Sequence, residues 1–121
     1  MTVQADSAIR RGFFMFPRGK TGGKWMYALG FADGRTKIGV TQRPFERMSD
    51  YWRQSGGSVV WAHVFKSVSE APWYGPERRA IALISQQCTR HGKSEYFTGI
   101  SRSDVIRLCR MALNQENQAA A

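Results

Sequence analysis

The stretch KIGVTQRPFERM, residues 37–48, predicts a strand that leads directly into a helix. Lys37 and Gly39 are two positions apart, so they lie on the same face of the predicted strand. Pro44 suits the first helical position, where a backbone N–H is not needed. From there apolar residues recur with helical spacing and predict a stripe that faces the core. The stripe consists of Phe45, Met48 and Trp52.

The opposite side of this predicted helix is basic and polar. Arg43, Arg47, Tyr51 and Gln54 fall there when each residue turns the helix by about 100°. A basic helical side that follows a strand ending in lysine and glycine suits the binding of an anion. A solvated surface would show the same pattern, because charged residues are common on exposed helix faces.

The composition favours a polyanionic partner. The chain has 121 residues, enough for one domain with its own core, and carries 18 Lys and Arg against nine Asp and Glu, a formal charge of +9. Such a charge is typical of proteins that bind nucleic acid or an anionic membrane surface. Nucleic acid is favoured, because the positive charges are spread along the chain and no long basic amphipathic helix collects them. We expect DNA as the partner, with RNA as an alternative.

Other classes of protein have little support. Cys88 and Cys109 fall at apolar positions of predicted helices, and His63 and His91 stand apart from each other, so no zinc-site spacing is present. No apolar run approaches the roughly 20 residues of a membrane span. The N-terminus lacks the apolar core of a secretory signal. We therefore expect a cytoplasmic protein without membrane association.

The segments WMYALGF (25–31) and RTKIGV (35–40) predict a β-hairpin, since Asp-Gly between apolar runs is a strong turn signal. A two-residue turn would place Tyr27 opposite Val40. A three-residue loop over residues 32–34, with its glycine in the left-handed conformation, places Tyr27 opposite Gly39. We favour the three-residue loop, because the remaining apolar residues then share one consistent core face.

The rest of the chain predicts one more strand and two more helices. Residues 58–68 read as a strand with two apolar faces, expected inside the sheet. A helix is expected to begin between residues 69 and 76 and to end at Gly92. A short extended piece over 93–99 and a helix capped by Ser101 follow. The pattern predicts an α+β fold, a small three-stranded antiparallel sheet with flanking helices.

One domain is expected over residues 25–114, between a basic arm at 1–24 and a disordered tail at 115–121. The apolar FFMF at 13–16 either adds a short strand or belongs to a floppy terminus. The basic residues around it, Lys24 included, would contact a phosphate backbone.

Glu77 lies in line with the apolar stripe of the predicted second helix. An ionised carboxylate in that position is costly unless it is paired or binds a cation. A glutamate in the first turn also complements the helix dipole. The local pattern leaves both interpretations open.

The order of elements resembles the GIY-YIG nuclease superfamily, most closely its small, phage-associated DNA-binding subgroup. The resemblance runs from about Trp25 to Phe97. Tyr27 in WMYAL matches the tyrosine of the first motif, and KIGVT matches the second motif. Lys37 stands where most members have tyrosine, although some GIY-YIG restriction enzymes also carry lysine there.

Two helical residues extend the resemblance. Arg47, eight residues after Gly39, matches the helical arginine of the superfamily. Glu77 matches its metal-binding glutamate, and EYF at 95–97 resembles the ending of the phage-type subgroup.

The resemblance implies metal-dependent hydrolysis of phosphodiester bonds in DNA. Tyr27 would orient or deprotonate the attacking water, with Lys37 favouring the ionised phenol. Arg47 would neutralise charge on the scissile phosphate, and Glu77 would hold Mg²⁺ or Mn²⁺. The residues expected to contact nucleic acid are Lys24, Gly39, Arg43, Tyr51 and Arg53.

Two other functions remain open. The same cleft would serve a nucleic-acid-binding module that does not cut, as the missing second tyrosine suggests. An interaction protein, such as an inhibitor encoded by a mobile element, would use its aromatic residues as anchors. Candidate anchors are Tyr51, Trp52, Trp73 and Tyr74. We expect a monomer or a weak homodimer.

Overall fold

A computed structural model of the chain describes residues 2–4, 16, 18–21, 24–66, 74–90 and 96–120. The strands are β1 (Thr2–Gln4), β2 (Trp25–Phe31), β3 (Thr36–Thr41), β4 (Val59–Lys66), β5 (Thr89–Arg90) and β6 (Tyr96–Thr98). The helices are α1 (Pro44–Gln54), α2 (Tyr74–Ser85) and α3 (Arg102–Ala120).

The described strands form one antiparallel sheet in the order β1-β4-β2-β3-β6-β5. The predicted α+β class with an antiparallel sheet is confirmed, and β4 lies inside the sheet as expected. The predicted count of three strands is wrong, because short strands extend the sheet on both sides of β2, β3 and β4. The added strands β1, β5 and β6 are two or three residues long, too short to show an alternation of apolar residues.

The hairpin of β2 and β3 has the predicted three-residue loop. Tyr27 pairs with Gly39, and Leu29 pairs with Lys37. Gly34 has a φ of 90°, a conformation that glycine adopts at little cost. Its N–H donates to the carbonyl of Phe31 at 3.0 Å. The register is therefore confirmed, and it decides which side chains share a face.

The sheet separates two apolar clusters, since successive residues of a strand point to opposite faces. On one face Tyr27 and Leu29 pack with Met48 of α1. On the other face Met26 and Ala28 pack with residues of α2 and α3. Helix α1 thus covers one face of the sheet, and α2 and α3 cover the other.

Helix α1 begins at Pro44, as predicted, and ends at Gln54. Met48 is fully buried, and Phe45 and Trp52 are half-buried against the same cluster. Tyr51, predicted on the side away from the core, is also half-buried against this cluster. The apolar side of α1 is therefore wider than the sequence stripe indicates.

Helix α2 ends at Ser85, so the predicted end at Gly92 is wrong. A turn follows, and then β5 pairs Thr89 with Thr98 of β6. Cys88 is half-buried against the α2 and α3 cluster, and its thiol donates to the Ile84 carbonyl at 3.2 Å. The apolar period thus continues through Cys88 although the helix has ended, which explains the error.

Helix α3 has the predicted cap, because the Ser101 hydroxyl accepts a hydrogen bond from the Asp104 backbone N–H at 3.2 Å. The helix continues to Ala120. Its backbone is therefore helical over most of the segment that the sequence pattern assigns to a disordered tail.

Some predicted features lie outside the described residues. These are residues 5–15 of the arm, which include most of FFMF, the segment 67–73 with Trp73, and Glu95. Phe16 is described and is buried in the α1 cluster. No helix among the described residues is both long and apolar enough to cross a membrane.

Candidate functional site

Strand pairing brings Tyr27, Lys37 and Gly39 together on the sheet face that α1 covers. Tyr27 is directly opposite Gly39, and Lys37 is two residues away on the same strand. Tyr27 is 2% exposed and Lys37 is 8% exposed. The predicted cluster of these residues is therefore present, and it lies beneath α1.

Gly39 is in close contact with the ring of Tyr27. A Cβ atom at Gly39 would lie 2.3 Å from Tyr27 Oη and 2.4 Å from Cζ, so a larger residue would displace the phenol. The Tyr27 hydroxyl shares a hydrogen bond of 3.2 Å with the Tyr51 hydroxyl. Gly39 thus sets the position of the ring, and α1 holds its hydroxyl through Tyr51.

The ammonium group of Lys37 lies among aromatic rings. Its Nζ is 5.1 Å from the ring centroid of Tyr96 and 6.0 Å from that of Tyr51. Tyr96 reaches this position because β6 pairs Tyr96 with Lys37. Cations are attracted to aromatic faces, which offsets part of the cost of burying the charge. Lys37, Tyr51 and Tyr27 thus form one connected cluster.

A basic groove lies beside this cluster, at the end of β3. Arg47 is one helical turn before Tyr51, so the two side chains are neighbours on α1. The groove has a volume of about 380 Å³ and is lined by Lys24, Val40, Thr41, Gln42, Arg43, Glu46, Arg47 and Asp50. We call it the α1 groove. Three of the predicted basic residues, Lys24, Arg43 and Arg47, are among its lining residues.

The last residues of the predicted arm are hydrogen-bonded to residues that line the α1 groove. The backbone N–H and the hydroxyl of Thr21 both donate to the carbonyl of Gln42, each at 2.8 Å. The N–H of Gly19 donates to Glu46 Oε1 at 2.6 Å. These contacts hold residues 18–21 against the start of α1, and Lys24 lines the groove from the same segment.

Positive charge exceeds negative charge in the α1 groove. Its cations are Lys24, Arg43 and Arg47, and its carboxylates are Glu46 and Asp50. Glu46 accepts a backbone hydrogen bond, and Asp50 forms an ion pair with Arg53. Arg53 does not line the groove, and its side chain is 66% exposed on the outer surface of α1. A phosphate group in the groove would therefore meet Arg43, Arg47 and Lys24 first.

Glu77 is not part of this arrangement. It lies in the first turn of α2, is 8% exposed, and belongs to a helix that packs on the opposite face of the sheet. Helix α2 also contacts β3. Within the described strands, β6 pairs with β3 at Thr36 and Lys37 alone, so no described strand covers this edge of β3 after Lys37.

The buried carboxylate of Glu77 is compatible with a Mg²⁺ site of the kind that has few protein ligands. No group of three or more His, Cys, Asp or Glu side chains among the described residues could hold a metal ion. Mg²⁺, however, is commonly bound by one or two carboxylates together with waters and substrate phosphates. A single buried carboxylate such as Glu77 fits that pattern.

Sequence reasoning missed two features of the site. Tyr96 contacts Lys37, although the sequence showed it only as the middle of EYF. Glu46 and Asp50 line the α1 groove beside the arginines. Their spacing of four residues, continuing the side of α1 next to Arg47, was the available signal for these carboxylates.

The chain was compared with protein-family models, with curated proteins and with solved structures, and none of them matches it. The resemblance to the GIY-YIG superfamily therefore stays a prediction from the motif residues of the sequence.

Proposed function

We propose that the protein binds DNA in the α1 groove and hydrolyses a phosphodiester bond there, as a metal-dependent endonuclease of the GIY-YIG type. The observation that carries this proposal is the close contact of Gly39 with Tyr27, beside Lys37. The Tyr27 hydroxyl is hydrogen-bonded to Tyr51, which is one helical turn after Arg47. The formal charge of +9 supports a polyanionic substrate.

Arg43, Arg47 and Lys24 would hold the phosphate. Guanidinium groups donate paired hydrogen bonds to phosphate oxygens, and lysine adds a compact positive charge. Both arginines are exposed, so a phosphate backbone can reach them from solvent. Arg47, the nearer of the two to Tyr51, would also compensate the charge that develops on the phosphate during hydrolysis.

Tyr27 would orient the attacking water through its hydroxyl, which Tyr51 holds in place. A phenol keeps its proton near neutral pH unless a neighbouring positive charge favours the phenolate. Lys37 belongs to the same cluster and would supply that charge. Lysine in place of the usual second tyrosine would thereby contribute to proton transfer.

Glu77 would hold Mg²⁺ or Mn²⁺, and the bound ion would compensate charge on the leaving oxygen. Because α2 covers the opposite face of the sheet, Glu77 would act at the edge of β3 rather than inside the Tyr27 cluster. The reacting phosphate would then lie across this edge.

Nicking of supercoiled plasmid in the presence of Mg²⁺ or Mn²⁺ tests the proposal. Wild type should nick the plasmid, and Glu77→Gln should lower the rate at least about 100-fold. Asp104→Asn, an exposed carboxylate in the first turn of α3, serves as the matched control and should keep the rate. If wild type and Glu77→Gln leave several DNA substrates equally intact, the endonuclease proposal is wrong.

A second candidate function is binding of nucleic acid without cleavage. It is favoured by the burial of Tyr27 and by the position of Glu77 on the helix of the other face. The α1 groove would serve this function with no change, because phosphate contacts need only exposed positive charge.

Salt dependence tests the binding itself. About six phosphate contacts would lose roughly a thousandfold in affinity between 50 and 200 mM salt. Arg43→Ala should weaken binding alike on all sequences, since phosphate contacts do not read bases. Arg107→Ala, on the exposed side of α3, is the control. Salt-independent affinity would contradict both candidate functions. Steep salt dependence without nicking would support only the second function, binding without cleavage.

A further inference from the structure

An exposed arginine directly before β3 lies close to two aromatic rings. The guanidinium Cζ of Arg35 is 5.2 Å from the ring centroid of Phe31 and 5.1 Å from that of Tyr96. The rings of Phe31 and Tyr96 are themselves 6.1 Å apart. The guanidinium therefore lies near both rings, while the Arg35 side chain is still 45% exposed.

Asp33 fixes Arg35 from the hairpin loop. Asp33 Oδ1 accepts the Arg35 backbone N–H at 3.0 Å, and Oδ2 accepts Nε at 2.7 Å. The pKa of Asp33 is lowered below its ordinary value, first by the backbone hydrogen bond from Arg35 and further by the guanidinium. An arginine held at its Nε edge and along one side presents a planar, preorganised surface to solvent.

The arrangement continues toward the α1 groove. Arg35 Cζ and Lys37 Nζ each lie 5.1 Å from the ring centroid of Tyr96. Lys37 is in turn 6.0 Å from the ring centroid of Tyr51, the neighbour of Arg47 on α1. We call Arg35, Tyr96, Lys37 and Tyr51 the stacking row. It alternates cations with aromatic rings and leads to the phosphate-binding arginines.

We propose that the exposed end of the stacking row, the Arg35 guanidinium, binds an unpaired nucleobase, so that the preferred substrate is single-stranded nucleic acid or a strand with extruded bases. Lys37, at 8% exposure beneath α1, supports the row from inside and does not contact a base. This inference rests on the proposed nucleic-acid function of the α1 groove. Bases in a duplex have their faces covered by their neighbours, whereas unpaired bases stack on aromatic rings and arginine planes.

A purely structural role does not account for this arrangement. An exposed ion pair such as that of Arg35 and Asp33 contributes little to folding. Lysine would form the same ion pair, but it lacks the planar guanidinium on which a nucleobase can stack. The stacking role therefore depends on arginine at this position, and the ion pair does not.

Equilibrium binding without divalent metal tests the proposal, using an oligodeoxynucleotide with one 2-aminopurine. The probes are this single strand, its fully paired duplex and the same strand with an abasic site. Duplex has the higher charge density, so electrostatic attraction alone would favour it. We expect instead that the single strand binds at least about fivefold tighter than duplex, the effect of one stacked base, and that its fluorescence is quenched.

Arg35→Lys should remove this preference and the quenching, while Arg107→Lys on α3 should keep both. The abasic strand should bind wild type about fivefold more weakly than the intact strand. Equal affinity of wild type for single strand and duplex, or an unchanged preference in Arg35→Lys, would overturn the inference.

Two variants separate this inference from the proposed function. If Arg47→Ala weakens binding and Arg35→Lys changes nothing, the stacking row is wrong and the α1 groove stands. If Arg35→Lys removes the preference and wild type nicks no DNA, the stacking row stands and the endonuclease proposal falls. If wild type binds neither single strand nor duplex, both are wrong.

Discussion

Replacing Gly39 by alanine should damage the candidate site directly. The new Cβ would lie 2.3 Å from Tyr27 Oη and 2.4 Å from Cζ. Carbon atoms in favourable contact are about 3.5 Å apart, so the ring would have to move by about 1 Å. Tyr27 is 2% exposed and its hydroxyl contacts Tyr51 at 3.2 Å, so the ring cannot move outward without losing packing or this hydrogen bond.

The cost can be estimated from this overlap. Overpacking of a buried site typically costs about 1–3 kcal/mol. Loss of the hydrogen bond between Tyr27 and Tyr51 would add about 0.5–1.5 kcal/mol. Alanine has less conformational freedom than glycine in the unfolded chain, which offsets about 0.4–1 kcal/mol of this loss. We expect a net loss of about 0.5–4 kcal/mol in the free energy of unfolding and a melting temperature lower by roughly 2–20 °C.

Thermal unfolding and plasmid nicking measure the two consequences. A misplacement of about 1 Å can lower a catalytic rate about 100-fold, so nicking should fall by that order in the folded variant. Gly30→Ala is the matched control, because its Cβ would lie 1.8 Å from Trp61 Nε1 on the other face of the sheet. It should lower the melting temperature and leave the nicking rate of folded protein unchanged.

A double variant tests the contact between Gly39 and Tyr27 by stability alone, without an activity measurement. Tyr27→Leu removes the ring that the new Cβ would meet, so Gly39→Ala should cost less in a Tyr27→Leu background than in wild type. A coupling of about 0.5–3 kcal/mol is expected for groups in contact. Unchanged stability and nicking in Gly39→Ala, or strict additivity in the double variant, would refute the packing on which the site depends.

Three further predictions concern single residues. The pKa of His63 is lowered from 6.5 to about 4, mainly by burial, with Arg110 among the positive charges that add to the effect. The contribution of neutral His63 to the free energy of unfolding is therefore complete above pH 6.5 and is lost as pH falls toward 4. In chemical unfolding, the free energy of unfolding of wild type should fall by about 2–3 kcal/mol more than that of His63→Leu between pH 7 and 4.5. Equal losses would contradict this. Tyr51→Phe should cost about 0.5–1.5 kcal/mol and lower nicking up to about tenfold, because Tyr27 loses its hydrogen bond; an unchanged rate would exclude a positioning role. Ser101→Ala should cost about 0.5–2 kcal/mol in thermal unfolding through loss of the helix cap, and no change would show that the cap is replaced by water.

The features that the sequence predicted well are local. The loop at Ala32–Gly34 and the core-facing residues of the two strands specify one register, which places Tyr27 opposite Gly39. Pro44 and the stripe that follows specify α1 and the turn that carries Arg47. Nearest-neighbour geometry was sufficient for these parts of the site.

The features that the sequence did not predict depend on distant pairing. Tyr96 meets Lys37 because β6 joins the edge of β3, and β6 has only three residues over which a pattern could show. The burial of Glu77 followed from its stripe, but the face of the sheet on which α2 packs depends on the connection after β4. Periodicity describes which side of a helix is buried and not which surface covers it.

The most direct test of the central claim is the rate at which supercoiled DNA is nicked by wild type and by Arg47→Ala with Mg²⁺. Arg47 lines the α1 groove, and Arg107 on α3 provides a control arginine that is also exposed. We predict nicking by wild type and by Arg107→Ala, and a rate at least about 100-fold lower for Arg47→Ala at equal protein stability. Equal rates for Arg47→Ala and wild type, or intact plasmid with wild type, would contradict the proposed endonuclease site.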